Sequence, residues 1–136
     1  MSLTVRVIAP DKTVWDASAE EVILPSTTGQ MGILTGHAPM LTALDIGVLR
    51  VRADKEWTPI ALMGGFAEVE ANQLTVLVNG AERGTDINLD EARTALTEAE
   101  TRFTRAQNGT DRSELIQATQ VFKRARARVQ AASGNA

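Results

Sequence analysis

Few residues in this chain could perform chemistry, and their types do not form a catalytic or metal-binding pattern. His37 is the only histidine and there is no cysteine, which excludes a zinc site of the usual kind and a cysteine nucleophile. One histidine without placed partners does not define a Ser-His-Asp triad, and no Gly-x-x-x-x-Gly-Lys phosphate loop occurs. The sequence therefore predicts a protein with no catalytic residues and no metal site.

His37 belongs to a glycine-rich stretch that predicts a surface for a partner. Residues 29–40 are Gly-Gln-Met-Gly-Ile-Leu-Thr-Gly-His-Ala-Pro-Met, and the three glycines supply positive φ or close backbone approach. Pro39 fixes the exit of the stretch, while Ile33 and Leu34 anchor it to a core. We expect an ordered loop between short strands, with His37 presented on a tight turn.

The second group with chemical potential is basic. From residue 115 to residue 136 the chain has no acid and four bases, namely Lys123, Arg124, Arg126 and Arg128. Such an imbalance favours an acidic partner. The alternative is a solvent-exposed helical face whose cations complement the helix C-terminus.

Overall composition limits the class of protein. The 136 residues carry a formal charge of -3, which argues against general binding to nucleic acid or to an anionic membrane. No stretch is apolar for long enough to cross a membrane, and the absence of cysteine agrees with a reducing compartment. The length suits one domain, or a small domain with an appendage.

The N-terminal part predicts an antiparallel β-sandwich. Short runs with strand-like patterning are separated by Gly, Asn, Asp or Pro at the intervals typical of a sandwich. These runs are 3–7, 21–25, 40–45, 47–53, 57–63 and 73–78. Gly64 and Gly65 interrupt an apolar run and predict a bend or bulge between strands.

The hydrophobic period changes to that of a helix after the polar segment 79–86. Apolar residues step by three and four in two sets: Leu89, Ala92, Leu96, Ala99, Phe103 and Ala106, then Leu115, Ala118, Phe122, Ala125, Val129 and Ala132. Asn88 with Glu91, and Asp111 with Glu114, predict the two helix starts. Two helices of equal length should pack as an antiparallel hairpin.

These patterns together predict an α+β fold. We assign residues 1–84 to an N-terminal antiparallel β-sandwich, 85–87 to a linker and 88–136 to a C-terminal antiparallel two-helix hairpin. Alanines on both helical seams bury little apolar area per turn, so we expect a hairpin that can detach from a rigid platform.

Several segments resemble the epsilon subunit of F-type ATP synthases. The motif Gly-Gln-Met-Gly-Ile-Leu-x-Gly-His-Ala-Pro is similar to a loop of that family, and the segments 14–16, 21–24, 45–50, 63–67 and 74–79 resemble its cyanobacterial and chloroplast members. The resemblance covers nearly the whole chain in order. It implies a non-catalytic subunit of the central stalk, or rotor, which couples proton transport to ATP synthesis.

The same resemblance implies the partners and the location. The base of the sandwich should contact the gamma subunit and the membrane c-ring through Gln30, Met31, His37, Ala38 and Pro39. The family often carries an acid at the position of Gln30. The chain would then be a peripheral membrane protein on the cytoplasmic or stromal face of the thylakoid, or of another energy-transducing membrane, without inserting into it.

For the hairpin, the resemblance implies inhibition of ATP hydrolysis. Its basic residues Lys123, Arg124, Arg126 and Arg128 would face an acidic segment of the catalytic beta subunit when the hairpin is extended. A single exposed ion pair contributes at most about 1 kcal/mol, so several would act together.

A weakly bound ATP is the one cofactor that the resemblance suggests. Residues 89–94 are similar to the Ile/Leu-Asp-x-x-Arg-Ala motif with which some bacterial epsilon subunits bind ATP, although Thr94 replaces the alanine and Glu100 stands where those proteins carry a base. Antiparallel helices could cluster the residues Asp90, Arg93, Arg124 and Arg128. We prefer the interpretation that Asp90 pairs with Arg93 at a spacing of three residues.

Two other function classes remain open. A free-standing nucleotide-sensing domain would use the same four residues, and titration with ATP would reveal it. A hairpin that binds nucleic acid is disfavoured by the net charge, and it would show strongly salt-dependent binding.

Overall fold

The computed structural model describes residues 2–134 and contains eight strands followed by two helices. The strands are β1 (Leu3–Ala9), β2 (Lys12–Ala19), β3 (Glu21–Ser26), β4 (Gly29–Leu34), β5 (Met40–Ala53), β6 (Glu56–Glu70), β7 (Gln73–Val78) and β8 (Ala81–Arg83). A 3-10 turn (Gly84–Asp86) leads to the helices α1 (Leu89–Gln107) and α2 (Arg112–Ser133). The predicted α+β class is confirmed.

One sheet with the strand order β2-β1-β7-β6-β5-β3-β4 forms the N-terminal unit, and β8 pairs with β6. Every pairing is antiparallel except that of β1 with β7, which is parallel. The long strands β5 and β6 lose their pairing at Asp45 and Gly64, where Gly64 and Gly65 have φ of 81° and 157°. This bend lets one continuous sheet fold over a core that consists only of strand residues.

The strand predictions need three corrections. Runs 40–45 and 47–53 form the single strand β5, and β6 continues through the two glycines, because a bend with retained register does not end a strand. Strands β2, β4 and β8 were not predicted. In β4, half of the glycine-rich stretch is a strand rather than a loop, with Ile33 buried and paired to Val22 of β3.

Both helices begin as predicted. The Asn88 side chain accepts a hydrogen bond from the Glu91 amide at 3.0 Å, and the Asp111 side chain accepts one from the Glu114 amide at 3.1 Å. The helices have 19 and 22 residues, so the expectation of equal length was wrong. Helix α2 continues until Gly134, which adopts a left-handed conformation with φ of 76°.

Small residues occupy the centre of the seam between the helices. Its buried members are all alanines: Ala92, Ala99 and Ala106 on α1, and Ala118 and Ala125 on α2. The predicted large residues lie at its margin, where the Phe103 and Phe122 rings stack with centroids 5.0 Å apart. Alanine allows the helix backbones to approach closely, while the aromatic pair adds apolar contact at the margin.

Helix α2 has a second buried face, which the sequence analysis missed. Ala127 and Ala131 pack with Val48 of β5, Ala61 of β6 and Ile87 of the linker. Helix α1 packs mainly on α2. The hairpin is therefore attached to the sandwich chiefly through α2.

Gly84 allows the backbone of α2 to reach the sandwich. A Cβ atom on Gly84 would lie 2.1 Å from the Ala131 carbonyl oxygen and 3.2 Å from the Pro59 Cγ atom. The carbonyl belongs to the helix backbone and cannot rotate away. Any larger residue at position 84 must push α2 outwards.

We expect Gly84→Ala to weaken docking of the hairpin by about 1–3 kcal/mol, the usual cost of overpacking. Nuclear Overhauser contacts between the Ala131 and Val48 methyl groups would then weaken, while the sandwich core stays intact. Gly109→Ala is the matched control, because a Cβ there would meet only ordinary contacts at 3.5 and 3.6 Å. Undiminished methyl contacts in Gly84→Ala would contradict the proposed steric limit.

Candidate functional site

The predicted tight turn around His37 lies in the contact loop, which we define as residues 35–39 between β4 and β5. Gly36 has a positive φ of 86°, and the His37 amide donates to the Leu34 carbonyl at 3.2 Å. The His37 Nδ1 atom donates to the Ala38 carbonyl at 2.7 Å. Ala38 and Pro39 are exposed, so the loop presents a small, ordered surface to solvent.

Gln30 and Met31, the other two residues of the predicted rotor contact, lie on β4. Gln30 is exposed opposite Pro25, at the start of the strand, and Met31 packs partly against the core. Four strand steps, about 13 Å, separate Gln30 from Leu34, where the contact loop begins. The five predicted residues are therefore divided between the first half of β4, an edge strand of the sheet, and the contact loop that comes after it.

A partly exposed apolar row on the sandwich was not predicted from the sequence. It consists of Ile8, Leu77, Phe66 and Ala43, which are successive cross-strand partners on β1, β7, β6 and β5. Phe66 is 58% exposed and Leu77 is 53% exposed, and the row lines a shallow depression. The sequence signal was the uninterrupted Val-Leu-Val run in β7, where a half-buried strand should alternate with polar residues.

The four predicted basic residues of α2 divide into two pairs. Lys123 Nζ lies 3.2 and 3.1 Å from the two carboxylate oxygens of Asp45. Arg128 donates to both oxygens of Glu82, from Nε at 3.1 Å and from a terminal nitrogen at 3.2 Å. We call these two contacts the docking ion pairs, because each joins α2 to the sandwich.

Arg124 and Arg126 form the other pair and make no ion pair with the sandwich among the described residues. Both are exposed. The Arg126 guanidinium lies over the Phe122 ring at 5.2 Å from its centroid, and the Arg124 side chain has no hydrogen bond or ion pair within residues 2–134. Two of the four cations are thus available to a partner while the hairpin is docked.

The structure does not assemble the predicted nucleotide cluster. Arg128 is engaged by Glu82, and among the described residues the side chains of Asp90, Arg93 and Arg124 form no hydrogen bond or ion pair. The preferred alternative, an Asp90–Arg93 ion pair, is wrong for the same reason. The depression beside Asp90 is lined by Glu91 and Glu98 among others, and their negative charge disfavours the binding of phosphate. ATP binding stays a prediction.

Neither a metal centre nor a membrane-spanning helix is found within residues 2–134. No group of three or more His, Cys, Asp or Glu side chains is arranged to hold a metal ion in this range. None of the described helices is long and apolar enough to cross a membrane.

Comparison with known proteins identifies the family. The model of the ATP synthase delta/epsilon chain β-sandwich domain matches residues 2–84, and that of the delta/epsilon chain long α-helix domain matches residues 85–133. The chain is 66% identical to the ATP synthase epsilon chain of Prochloron didemni, covering 98% of both chains. It is 68% identical to that of Synechococcus elongatus, covering 98% of this chain and 97% of the relative.

The chain belongs to the ATP synthase epsilon subunits. The resemblance to cyanobacterial members is confirmed, and a Nostoc epsilon chain is likewise 68% identical over 136 residues. The family places the chain in the ATP synthase complex as a subunit other than the catalytic one.

Two solved structures share the fold at low sequence identity. One is a Euglena gracilis mitochondrial ATP synthase assembly of OSCP, F1 and c-ring, with a TM-score of 0.81, 20% identity and coverage of 97% of this chain and 81% of that one. The other is the central stalk and c-ring of the Tetrahymena thermophila mitochondrial ATP synthase, with a TM-score of 0.63, 15% identity and 97% coverage of both chains. At these identities the likeness supports the fold alone.

In this epsilon subunit a further ion pair joins the two helices near the turn that connects them. Arg102 donates to both carboxylate oxygens of Glu114, at 2.9 and 2.8 Å. These hydrogen bonds lower the pKa of Glu114 below its ordinary value and raise the pKa of Arg102. The Glu114 carboxylate therefore bridges the two helices.

The lowered pKa of Glu114 predicts a pH-dependent hairpin. Because the folded pKa lies below the unfolded value of about 4.3, the contribution is present above that pH and is lost as pH falls through the folded pKa. We expect the difference in melting temperature between wild type and Glu114→Gln to be largest above about pH 5 and to vanish in stronger acid. The control is Glu98→Gln, an exposed acid of α1 that has no ion pair among the described residues. A pH-independent difference for Glu114→Gln would refute the assignment.

Proposed function

We propose that this chain is a non-catalytic rotor subunit whose sandwich binds the gamma subunit and the c-ring, and whose hairpin suppresses ATP hydrolysis. One observation carries the regulatory part: the docked hairpin holds two of its four proposed inhibitory cations in ion pairs with its own sandwich. Its site of action is the cytoplasmic face of a thylakoid or other energy-transducing membrane.

The sandwich has the properties of a coupling platform. Its core is built entirely from strand residues, many of them fully buried Val, Leu and Ile, which favours rigidity. Two separate surfaces of the sandwich, the contact loop with β4 and the apolar row, are available for partners. A subunit that lies between two partners needs two such surfaces. We assign the contact loop and β4 to the polar c-ring surface, and the apolar row to the gamma subunit, because exposed apolar patches on small proteins mark protein interfaces.

The hairpin has the properties of a switch between two competing sets of contacts. In the docked state Lys123 and Arg128 are bound by Asp45 and Glu82. An acidic segment of the beta subunit would offer carboxylates to the same two cations and to the free Arg124 and Arg126. Since one set of cations cannot satisfy both partners at once, docking and inhibition exclude each other.

The energetic balance of this switch is small. The docking ion pairs are about one-third exposed at each cation, so each contributes at most about 1 kcal/mol. The buried contact of α2 with the sandwich is made largely by alanines. A partner that binds the undocked hairpin only modestly more tightly than the docked one would therefore shift the population towards the undocked state.

The test of this function is ATP hydrolysis by an epsilon-free catalytic head from a cyanobacterial synthase. We expect the full-length chain to suppress hydrolysis and residues 1–87 to bind without suppressing it. This truncation keeps the whole strand-built core. In the full-length chain, Arg124→Glu with Arg126→Glu should weaken suppression at least several-fold. Within residues 2–134 neither arginine has a carboxylate partner, and neither belongs to the docking ion pairs.

The matched control reverses two exposed arginines of the other helix, Arg93→Glu with Arg105→Glu, and should suppress hydrolysis as wild type does. Full suppression by residues 1–87, or by the Arg124/Arg126 variant, would show that the hairpin is not the inhibitor. A full-length chain that does not bind the catalytic head would refute the rotor assignment itself.

Removing the sandwich side of the docking ion pairs should strengthen inhibition. Asp45→Asn with Glu82→Gln leaves every cation of α2 intact, and the carboxamide oxygen introduced at position 45 would still accept the bond that Asp45 now accepts from the Ile46 amide at 2.8 Å. Loss of two exposed pairs should raise the undocked population roughly two- to thirtyfold. The same hydrolysis assay would then show half-maximal suppression at a lower concentration of the chain.

Asp11→Asn with Glu68→Gln changes the net charge equally, at exposed acids outside the docking ion pairs. It should leave suppression unchanged. Equal suppression by both double variants would mean that the docking ion pairs do not restrain the hairpin.

A further inference from the structure

The turn between β6 and β7 contains two residues in a conformation that side chains disfavour. Ala71 and Asn72 have φ of 50° and 63°, and the β5–β6 turn has the same arrangement at Asp54 and Lys55, with φ of 53° and 68°. Turns of this kind are the usual two-residue links of hairpins and are best served by glycine at the second position. Asn tolerates the conformation better than most residues but still less well than glycine.

The Asn72 side chain makes a contact that glycine could not. Its Oδ1 atom accepts a hydrogen bond from the Gly36 amide at 2.7 Å. Its backbone carbonyl accepts a second bond from the Thr4 amide at 2.8 Å. One residue therefore ties the contact loop to the β6–β7 turn and to the start of β1, across 36 positions of sequence in the case of Gly36.

The hydrogen bond from Asn72 meets the contact loop at Gly36, a glycine whose backbone conformation is not restricted by a side chain. Gly36 has φ of 86°, and no heavy atom lies within 4 Å of the place where its Cβ would be, so side-chain packing does not restrict it. The next residue is His37, which is half-buried and precedes the exposed Ala38 and Pro39. Fixing the Gly36 amide therefore fixes the direction in which His37, Ala38 and Pro39 leave the sandwich.

We propose that Asn72 is a positioning residue that holds the contact loop in the conformation required to bind the c-ring. Its side chain bonds the Gly36 amide of the contact loop and acts on His37, Ala38 and Pro39 through that bond. The identity of the binding partner, the c-ring, rests on the proposed function. That Asn72 holds the loop is inferred from the hydrogen bond and does not depend on the partner. An ordered loop binds more tightly than a mobile one because less conformational entropy is lost on binding.

Three variants of the full-length chain test this role. Asn72→Gly keeps the turn conformation and removes the carboxamide. Asn72→Asp keeps an acceptor at the same position. Lys55→Gly is the matched control, because it makes the same backbone change in the other turn without touching the contact loop. Two quantities are measured for each: hydrogen exchange of the Gly36 amide, and affinity for a detergent-solubilised complex of gamma and c-ring from a cyanobacterial synthase.

We expect Asn72→Gly to accelerate exchange of the Gly36 amide and to weaken binding, each roughly two- to tenfold, as the net loss of one hydrogen bond implies. Asn72→Asp and Lys55→Gly should match wild type in both measurements. Unchanged exchange, or unchanged binding, in Asn72→Gly would overturn the inference.

A fourth variant, His37→Ala, separates the two proposals. If His37→Ala weakens binding while Asn72→Gly does not, the role of Asn72 is wrong and the loop contact stands. If His37→Ala binds as wild type, the proposed contact of the loop with the c-ring is wrong, and the binding part of the inference is wrong with it.

Discussion

The approach of the α2 backbone to the sandwich at Gly84 is the constraint on which the two-part architecture depends. The Ala131 carbonyl occupies the space of a side chain at position 84, and the buried alanines of α2 extend the contact to β5 and β6. With α2 held this close to the sandwich, the side chains of Lys123 and Arg128 reach the carboxylates of Asp45 and Glu82. Packing thus sets the distance between α2 and the sandwich, and the two ion pairs add a contribution for which the proposed acidic partner would compete.

The sandwich and the hairpin differ in the kind of residue that is buried. Branched and large aliphatic side chains fill the sandwich, whereas the residues that α2 buries in its two contacts are all alanines. Burial of an alanine removes little apolar surface from water, so a helix packed through alanines is held less firmly than a strand packed through valines and leucines. The difference between a firmly packed sandwich and a more weakly attached hairpin therefore follows from side-chain size.

Periodicity predicted the helices, their starting residues and the seam between them, because each depends on local spacing. It missed the second buried face of α2, since Ala127 and Ala131 in a basic segment give no apolar signal. The ion pairs of Lys123 and Arg128 join residues 78 and 46 positions apart, and no local pattern encodes such distances. For the same reason the proposed cluster of Asp90 with three arginines could not be judged before the position of Glu82 was known.

The predicted rotor contact shows the same limit. The tight turn at His37 followed from Gly36 and Pro39, but the placement of Gln30 far along β4 and the bond from Asn72 depend on pairing between distant strands.

The attachment of α1 mainly to α2 has a mechanical consequence. If α2 were released from the sandwich, the two helices would move as one body about the short segment 84–88. The proposed extended arrangement would then differ from the docked one mainly in the backbone angles of that segment.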